Sequence, residues 1–244
     1  MSKSKSVEHI ASTLANNGWA FAPATTLCDL IAVSEPDRRR FAEFWHDLGE
    51  DRFMADGGRY RKRRHAAFKL DEHGLERLPH RPHFQSRDYN PLNGGIERHF
   101  DGIANEALAS PVFTRLLDVC RGVFDLKSGP WLLEVHQFRI EPSESAAGRP
   151  TPEGMHRDGV DWVAVVLIAR VNVAEGVTRI SADNGETRFT LSEPFDAVVL
   201  DDHRVYHGVT PIHRIDPASP GHRDVLVLTF AAYSDGPPIC DAPL

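Results

Sequence analysis

The chain has 244 residues, 41% of them hydrophobic, and a formal net charge of -7, which suits a single domain over 1–244 with one substantial core. The acidic balance and a pI near 6.0 argue against nucleic acid or an anionic membrane as partner, since both select a basic face, and leave a small molecule as the simpler ligand. The polar start Met1–Val7 lacks the apolar stretch of a signal peptide, no later run reaches membrane-spanning length, and Cys28, Cys120 and Cys240 show no CxxC spacing, so a cytoplasmic protein with free thiols is expected. A homo-oligomer is compatible with all of this.

About 1–130 reads as a helix-rich portion. Val7–Asn16 is weakly amphipathic, Gly18–Ala22 suits a short strand, and Ser34-Glu35-Pro36-Asp37 supplies an N-cap and an early Pro for a helix through Phe41 and Trp45. A turn-rich middle follows, with Gly57-Gly58, Pro79, Pro82, Pro91 and Gly94-Gly95, and then a helix over 101–124 that Pro111 breaks in two. The run Tyr60-Arg61-Lys62-Arg63-Arg64-His65 stands alone in an acidic chain and is not a nucleic-acid patch. As a strand it would put Arg61 and Arg63 on one face and Lys62 and Arg64 on the other, without telling which face turns inward. His65, His73, His80 and His99 lie in polar sequence and read as surface residues.

About 131–235 reads as strands: 131–141, 160–173, 177–183, 187–191, 197–200, 205–212 and 225–233, β-branched and aromatic, with Gly, Asn, Asp and Pro between them. Strands this close, without helices between them, predict an antiparallel sandwich or barrel, so the fold class is mainly β with flanking helices (α+β), a cupin-like jelly roll carrying the helical portion. The Ser/Ala/Gly/Pro loop 142–152 could act as a lid. It runs directly into Gly154-Met155-His156-Arg157-Asp158-Gly159.

His156 and Asp158 are two apart, so an extended backbone points both at one ion while Arg157 turns away. With His207 they make two imidazoles and a carboxylate, a facial triad of the kind that leaves non-heme Fe(II) three open positions. A pleat continuing unbroken past Gly159 would place Trp162, Ala164, Val166, Ile168, Arg170 and Asn172 on the ligand face; a bulge there reverses the assignment. On this phase Trp162 and Arg170, with Gln137 and Arg139 from the first strand of the β half, are expected to border a substrate pocket. Asp161 could receive an ammonium group, although the simple pleat points it away. Asp201, Asp202 and His203 could join His207 in another metal set only on a helix, which Val205-Tyr206 disfavours. Arg223 opens the last apolar strand and suits bidentate capture of a carboxylate; Arg214, in a polar turn, is the alternative.

His156-x-Asp158, His207 and Arg223 in a strand-rich half resemble the Fe(II)/2-oxoglutarate-dependent dioxygenases. The segments His83-Phe84-Gln85-Ser86, Tyr89 to Arg98, His156 to Asp161 and Arg223 to Leu226 resemble more closely the bacterial L-isoleucine 4-hydroxylase group, hydroxylases of free aliphatic amino acids, and His83 is singled out because it falls in such a segment. The likeness runs from about Gly18 to Tyr233. It implies a double-stranded β-helix with Fe(II) on His156, Asp158 and His207, and 2-oxoglutarate chelating that iron. Arg223 would hold the distal carboxylate, with Thr229, in the same strand phase, adding a hydroxyl. It further implies O2 as co-substrate, release of succinate and CO2, and hydroxylation of an aliphatic L-amino acid. A cupin-like metal-dependent isomerase or lyase would keep the three ligands without a use for Arg223. A non-catalytic small-molecule-binding barrel would use the cup alone.

Overall fold

The computed structural model describes residues 3–90, 92–126 and 129–233; Pro91 and Cys240 lie outside them. Its first part holds the helices α1 (Lys3–Asn17), α2 (Ala24–Ile31) and α3 (Glu35–Glu43), with strand β1 (Trp19–Ala22) between the first two. The strands β2 (Arg61–Asp71), β3 (Gly74–Arg77) and β4 (Asp101–Gly102) follow, and then the helices α4 (Asn105–Leu108) and α5 (Pro111–Val123). Local chemistry sets several of these boundaries. Ser34 Oγ accepts from the Asp37 amide at the start of α3, and Ser110 Oγ accepts from the Val112 amide at the start of α5, each followed by a Pro in the first helical turn. Pro111 therefore begins a new helix and separates it from α4.

The second part is β throughout: β5 (Trp131–Ile140), β6 (Trp162–Val171), β7 (Val173–Glu175), β8 (Thr178–Ala182), β9 (Gly185–Phe189), β10 (Ala197–Asp201), β11 (Tyr206–Val209), β12 (Ile212–Arg214) and β13 (His222–Ala232). The large sheet runs β1-β10-β6-β13-β5-β2-β3, with β4 beside β2. Facing it are the sheet β11-β8-β9 and the pair β12-β7, which makes the architecture a jelly roll. Among the described residues no helix is long and apolar enough to cross a membrane, and Cys28 and Cys120 are free thiols.

Side-chain parity divides the large sheet. Leu133 and Val135 of β5, Ala164, Val166 and Ile168 of β6 and Leu226, Leu228 and Phe230 of β13 pack into one core with Leu14, Phe41, Trp45, Phe113 and Leu116 of the helical layer. The opposite parity, Val163, Leu167 and Val225, meets Ile180, Leu191 and Val205 inside the roll. Gly159 has φ +80° and β6 begins only at Trp162, so the pleat breaks after the His-Arg-Asp segment and its phase reverses. The even positions of β6 accordingly face the helices.

The helix-rich first part also contributes strands to the large sheet. β2 pairs with β5 from Arg61↔Ile140 to Leu70↔Trp131, so the basic run forms a sheet wall with Arg61, Arg63 and His65 all buried. Arg61 Nε donates to Asp51 Oδ2 at 2.7 Å, and the Arg63 guanidinium lies 3.8 Å from the Phe100 ring centroid and 4.5 Å from that of Phe138. Burial is tolerable because one charge is paired and the other is sandwiched between aromatic faces. Lys62 and Arg64, on the other face, pair with Glu141 and Asp47.

Candidate active site

The roll opens into a cavity of about 440 Å³ lined by both parts of the chain. His156 enters it from an isolated bridge to His207, the two backbones exchanging N–H···O bonds of 2.9 Å. His156 Nε2 lies 3.6 Å from Asp158 Oδ1, and His207 Nε2 lies 3.5 Å from Asp158 Oδ2. One ligand-type atom from each residue lies within 4.8 Å of the others. Two imidazoles and a carboxylate on one side, with the cavity on the other, fit Fe(II) by donor type and by the open face left for co-substrates.

The neighbours fix this geometry. Asp202, the turn residue before β11, accepts from the backbone amides of Asp158, Gly159 and Val160 at 3.0, 2.7 and 3.2 Å. Gln85 Nε2 donates to the Asp158 carbonyl at 3.1 Å, and His156 Nδ1 meets the Gly154 carbonyl at 3.1 Å, a contact that in the neutral imidazole places the proton on Nδ1 and leaves Nε2 for a metal. Burial opposes protonation of His156, yet the Asp158 hydrogen bond and charge outweigh it and hold the imidazole at about 9. Asp158 is buried too, but the same hydrogen bond and the His156 charge keep its carboxyl well below the usual range. Burial, reinforced by the His156 charge, lowers His207 to about 4. Asp202→Asn is expected to weaken iron binding about 10- to 100-fold, the usual cost of losing a partner that orients a metal ligand. Metal titration against a chelator reads this directly, and unchanged affinity would show that Asp202 braces the turn without influencing the ligands.

Arg223 lies in the cavity wall with Nε and Nη2 buried and unpartnered. These two donors form the side-on edge of the guanidinium, the edge with which Arg139 grips Asp224 at 2.8 and 2.7 Å elsewhere in this chain. A carboxylate is its natural complement. Burial, with the Arg170 charge nearby, lowers Arg223 to about 10, still a cation at neutral pH. Arg214 donates instead to the Pro142 and Pro217 carbonyls and does not line the cavity.

The structure corrects the pocket residues expected from the sequence, and on β6 the cause is the phase reversal at Gly159. Trp162 stacks on Phe124 in the helical layer at a 5.3 Å centroid separation. Arg170 turns to the Glu175 carbonyl, and Asn172 reaches the carbonyls of Asp216, Ser219 and Pro220. Gln137 and Arg139 share a face, as expected, but it is the face away from the cavity, which takes Leu132, Glu134, His136, Phe138 and Ile140 instead. Asp161 contacts His203 and the Ala232 amide, outside the cavity. Thr229 does line the cavity. It stands six residues from Arg223, roughly 20 Å along the strand, so the two cannot grip one end of a short diacid.

A second buried cluster was not legible in the sequence. His65, expected on the surface, is 1% exposed and donates to Glu134 at 3.0 Å. His83 meets the same carboxylate at 3.2 Å, and His136 Nδ1 receives Arg63 Nη2 at 2.8 Å. Ligand-type atoms of His65, His83, Glu134 and His136 also lie within 4.8 Å of one another. Hydrogen bonding accounts for this set. An ionised carboxylate only accepts, so both histidines donate to Glu134, and a guanidinium only donates, so His136 keeps its proton on Nε2. The only sequence signal was the place of His83 in a family-like segment.

Comparison with known proteins agrees with the geometry. The family model described as 2OG-Fe dioxygenase matches residues 42–229. The chain is 26% identical over 235 residues to a 3(1)-hydroxy-L-isoleucine 4-dioxygenase of Pantoea ananatis (strain AJ13355), covering 90% of this chain and 94% of that one. It is 27% identical over 158 residues to an L-isoleucine-4-hydroxylase of Bacillus thuringiensis, covering 61% and 65%. Among solved structures, a bsmA homolog from Methylobium petroleophilum PM1 superposes with a TM-score of 0.85 at 39% identity, over 93% of each chain. The family match over 42–229 includes most of the roll that carries His156, Asp158 and His207, and the chain belongs to the 2OG-Fe dioxygenase family, whose reaction uses Fe(II), 2-oxoglutarate and O2.

Proposed function

We propose that this dioxygenase hydroxylates an unactivated C–H bond of a free aliphatic L-amino acid and releases succinate and CO2. In this reading His156, Asp158 and His207 hold the iron, and Arg223 holds the distal carboxylate of 2-oxoglutarate. The observation that carries it is the convergence of the three ligand-type side chains and the unpartnered Arg223 edge on one cavity. An isomerase, lyase or simple binding barrel gives that edge no task. The amino-acid substrate is supported by the two relatives whose names specify isoleucine-type compounds.

Bound Fe(II) supplies oxygen activation and C–H oxidation, and the protein supplies position. Asp158 and the two imidazoles present donors on one side only, so the open side faces substrate. The apolar wall of Val160, Val165, Val225 and Val227 keeps bulk water from the reacting carbon. Walls from both parts of the chain enclose this cavity, which supports reading the described residues as a single dioxygenase domain. Incubation with Fe(II), ascorbate, 2-oxoglutarate and a panel of free amino acids is expected to give substrate-stimulated succinate and a product heavier by one oxygen. A broad amino-acid panel without stimulation would overturn the substrate assignment.

A further inference from the structure

An α-amino acid is a zwitterion, and a buried site that selects it needs a cation and an anion not already committed to the protein. Most charged groups of the cavity are committed. Arg61 pairs with Asp51, Arg63 with His136, and Glu134 with His65 and His83. Among the buried charged groups outside the proposed metal ligands, two besides Arg223 are not, and Asp88, which also lines the cavity, is exposed to solvent. Arg98 is 2% exposed with Nε unpartnered, and its Nη2 makes only a long 3.4 Å contact to Gln85 Oε1. The Glu153 side chain is 7% exposed, and its Oε2 is buried without a partner. Both residues line the cavity.

Their placement ties them to the metal ligands. Glu153 Oε1 lies 3.6 Å from His156 Nδ1. Arg98 reaches Gln85, whose Nε2 is 3.5 Å from Asp158 Oδ1. The two groups thus flank the His156-Asp158 pair from opposite ends of one contact chain; burial and the Arg61 charge lower Arg98, with the Asp51 and Glu153 charges opposing them.

We propose that Arg98 and Glu153 form a clamp for the head group of the substrate, Arg98 taking its carboxylate and Glu153 its ammonium group. The proposal rests on the free-amino-acid reading above and deepens it. The substrate must carry both charges, so amidated or deaminated relatives are poor ligands, and the side chain is left for the apolar wall.

Calorimetric titration of the protein loaded with zinc in place of iron, with 2-oxoglutarate present, tests this by binding alone. The probes are L-isoleucine, L-isoleucinamide, which lacks the carboxylate, and 2-hydroxy-3-methylpentanoate, which lacks the ammonium group. The wild type is expected to bind each analogue about 10- to 100-fold more weakly than L-isoleucine, the cost of one lost charged hydrogen-bonding partner. Arg98→Gln should abolish the isoleucine-to-isoleucinamide discrimination and spare the other; Glu153→Gln should do the reverse. Arg98→Lys and Glu153→Asp, which keep the charge, should restore part of each preference. Equal binding of an analogue by the wild type would overturn the clamp before any variant is made, as would discrimination that survives both Gln substitutions. The same titration with L-leucine, L-valine and L-methionine separates the two levels of inference. If no amino acid binds, the substrate reading falls and takes the clamp with it; if one binds without charge discrimination, only the clamp falls.

Discussion

Asp158→Ala is expected to reduce substrate-stimulated succinate formation by more than about 100-fold, beyond the loss typical of residues that merely orient a ligand. Asp158 is the only carboxylate of the three proposed ligands, and it lies within 3.6 Å of one imidazole and 3.5 Å of the other. Its removal leaves two neutral-ligand imidazoles and no anion to neutralise a dication. The backbone of the turn should hold, because Asp202 grips it through amides that the substitution keeps. Iron content at fixed free metal, read beside succinate and circular dichroism, separates ligand loss from unfolding. Full turnover in this variant would move the iron elsewhere, with His65, His83 and Glu134 the next set to test.

Arg223→Ala is expected to raise the 2-oxoglutarate concentration for half-maximal rate on the order of 100-fold, the worth of two charge-assisted hydrogen bonds in a buried site. The rate at saturating 2-oxoglutarate should fall far less, since the residue holds the end of the co-substrate remote from the metal. The apo protein should lose no stability. Arg223 is buried beside another cation, Arg170, an arrangement that the Asp224 charge offsets only in part, and its Nε and Nη2 make no hydrogen bond, so its charge costs more solvation than it recovers until a carboxylate arrives. The thermal shift that 2-oxoglutarate gives the wild type should accordingly shrink in the variant. Arg214→Ala, which breaks only contacts to the Pro142 and Pro217 carbonyls, should leave the 2-oxoglutarate requirement unchanged; a rise there with none at Arg223 would exchange the two assignments.

The jelly roll was legible because each strand of the second half carries its own β-branched or aromatic pattern and its own turn residues. The gathering of His156, Asp158, His207 and Arg223 at one cavity could be anticipated from the His-x-Asp spacing and from the family resemblance. The pocket walls were not, for a physical reason at each place. One glycine at φ +80° reversed the phase of β6 and exchanged Trp162 for Val165 as the wall residue, and parity cannot be carried across such a break. The inward face of the 61–64 run stayed open and His65 looked solvated, because the burial of Arg61, Arg63 and His65 depends on Asp51, Phe100, Phe138 and Glu134, which only the fold brings to them. Asp202 looked like an ordinary turn residue, since nothing local indicates that its carboxylate gathers three amides from a segment 42 to 44 positions away. Arg98 and Glu153 lie in turn-rich stretches without periodicity, where burial has no sequence signature.

The pairing of β2 with β5 bears on how this protein could be dissected or recombined. A fragment starting at 131 would retain every proposed iron ligand and the 2-oxoglutarate anchor, and by motif alone would look complete. It would have lost Arg61, Arg63, His83, Gln85 and Arg98 from the cavity wall. Grafting a different substrate preference onto this scaffold therefore means exchanging the stretch between α3 and α4 together with the roll, because the two were fitted to each other as wall and floor.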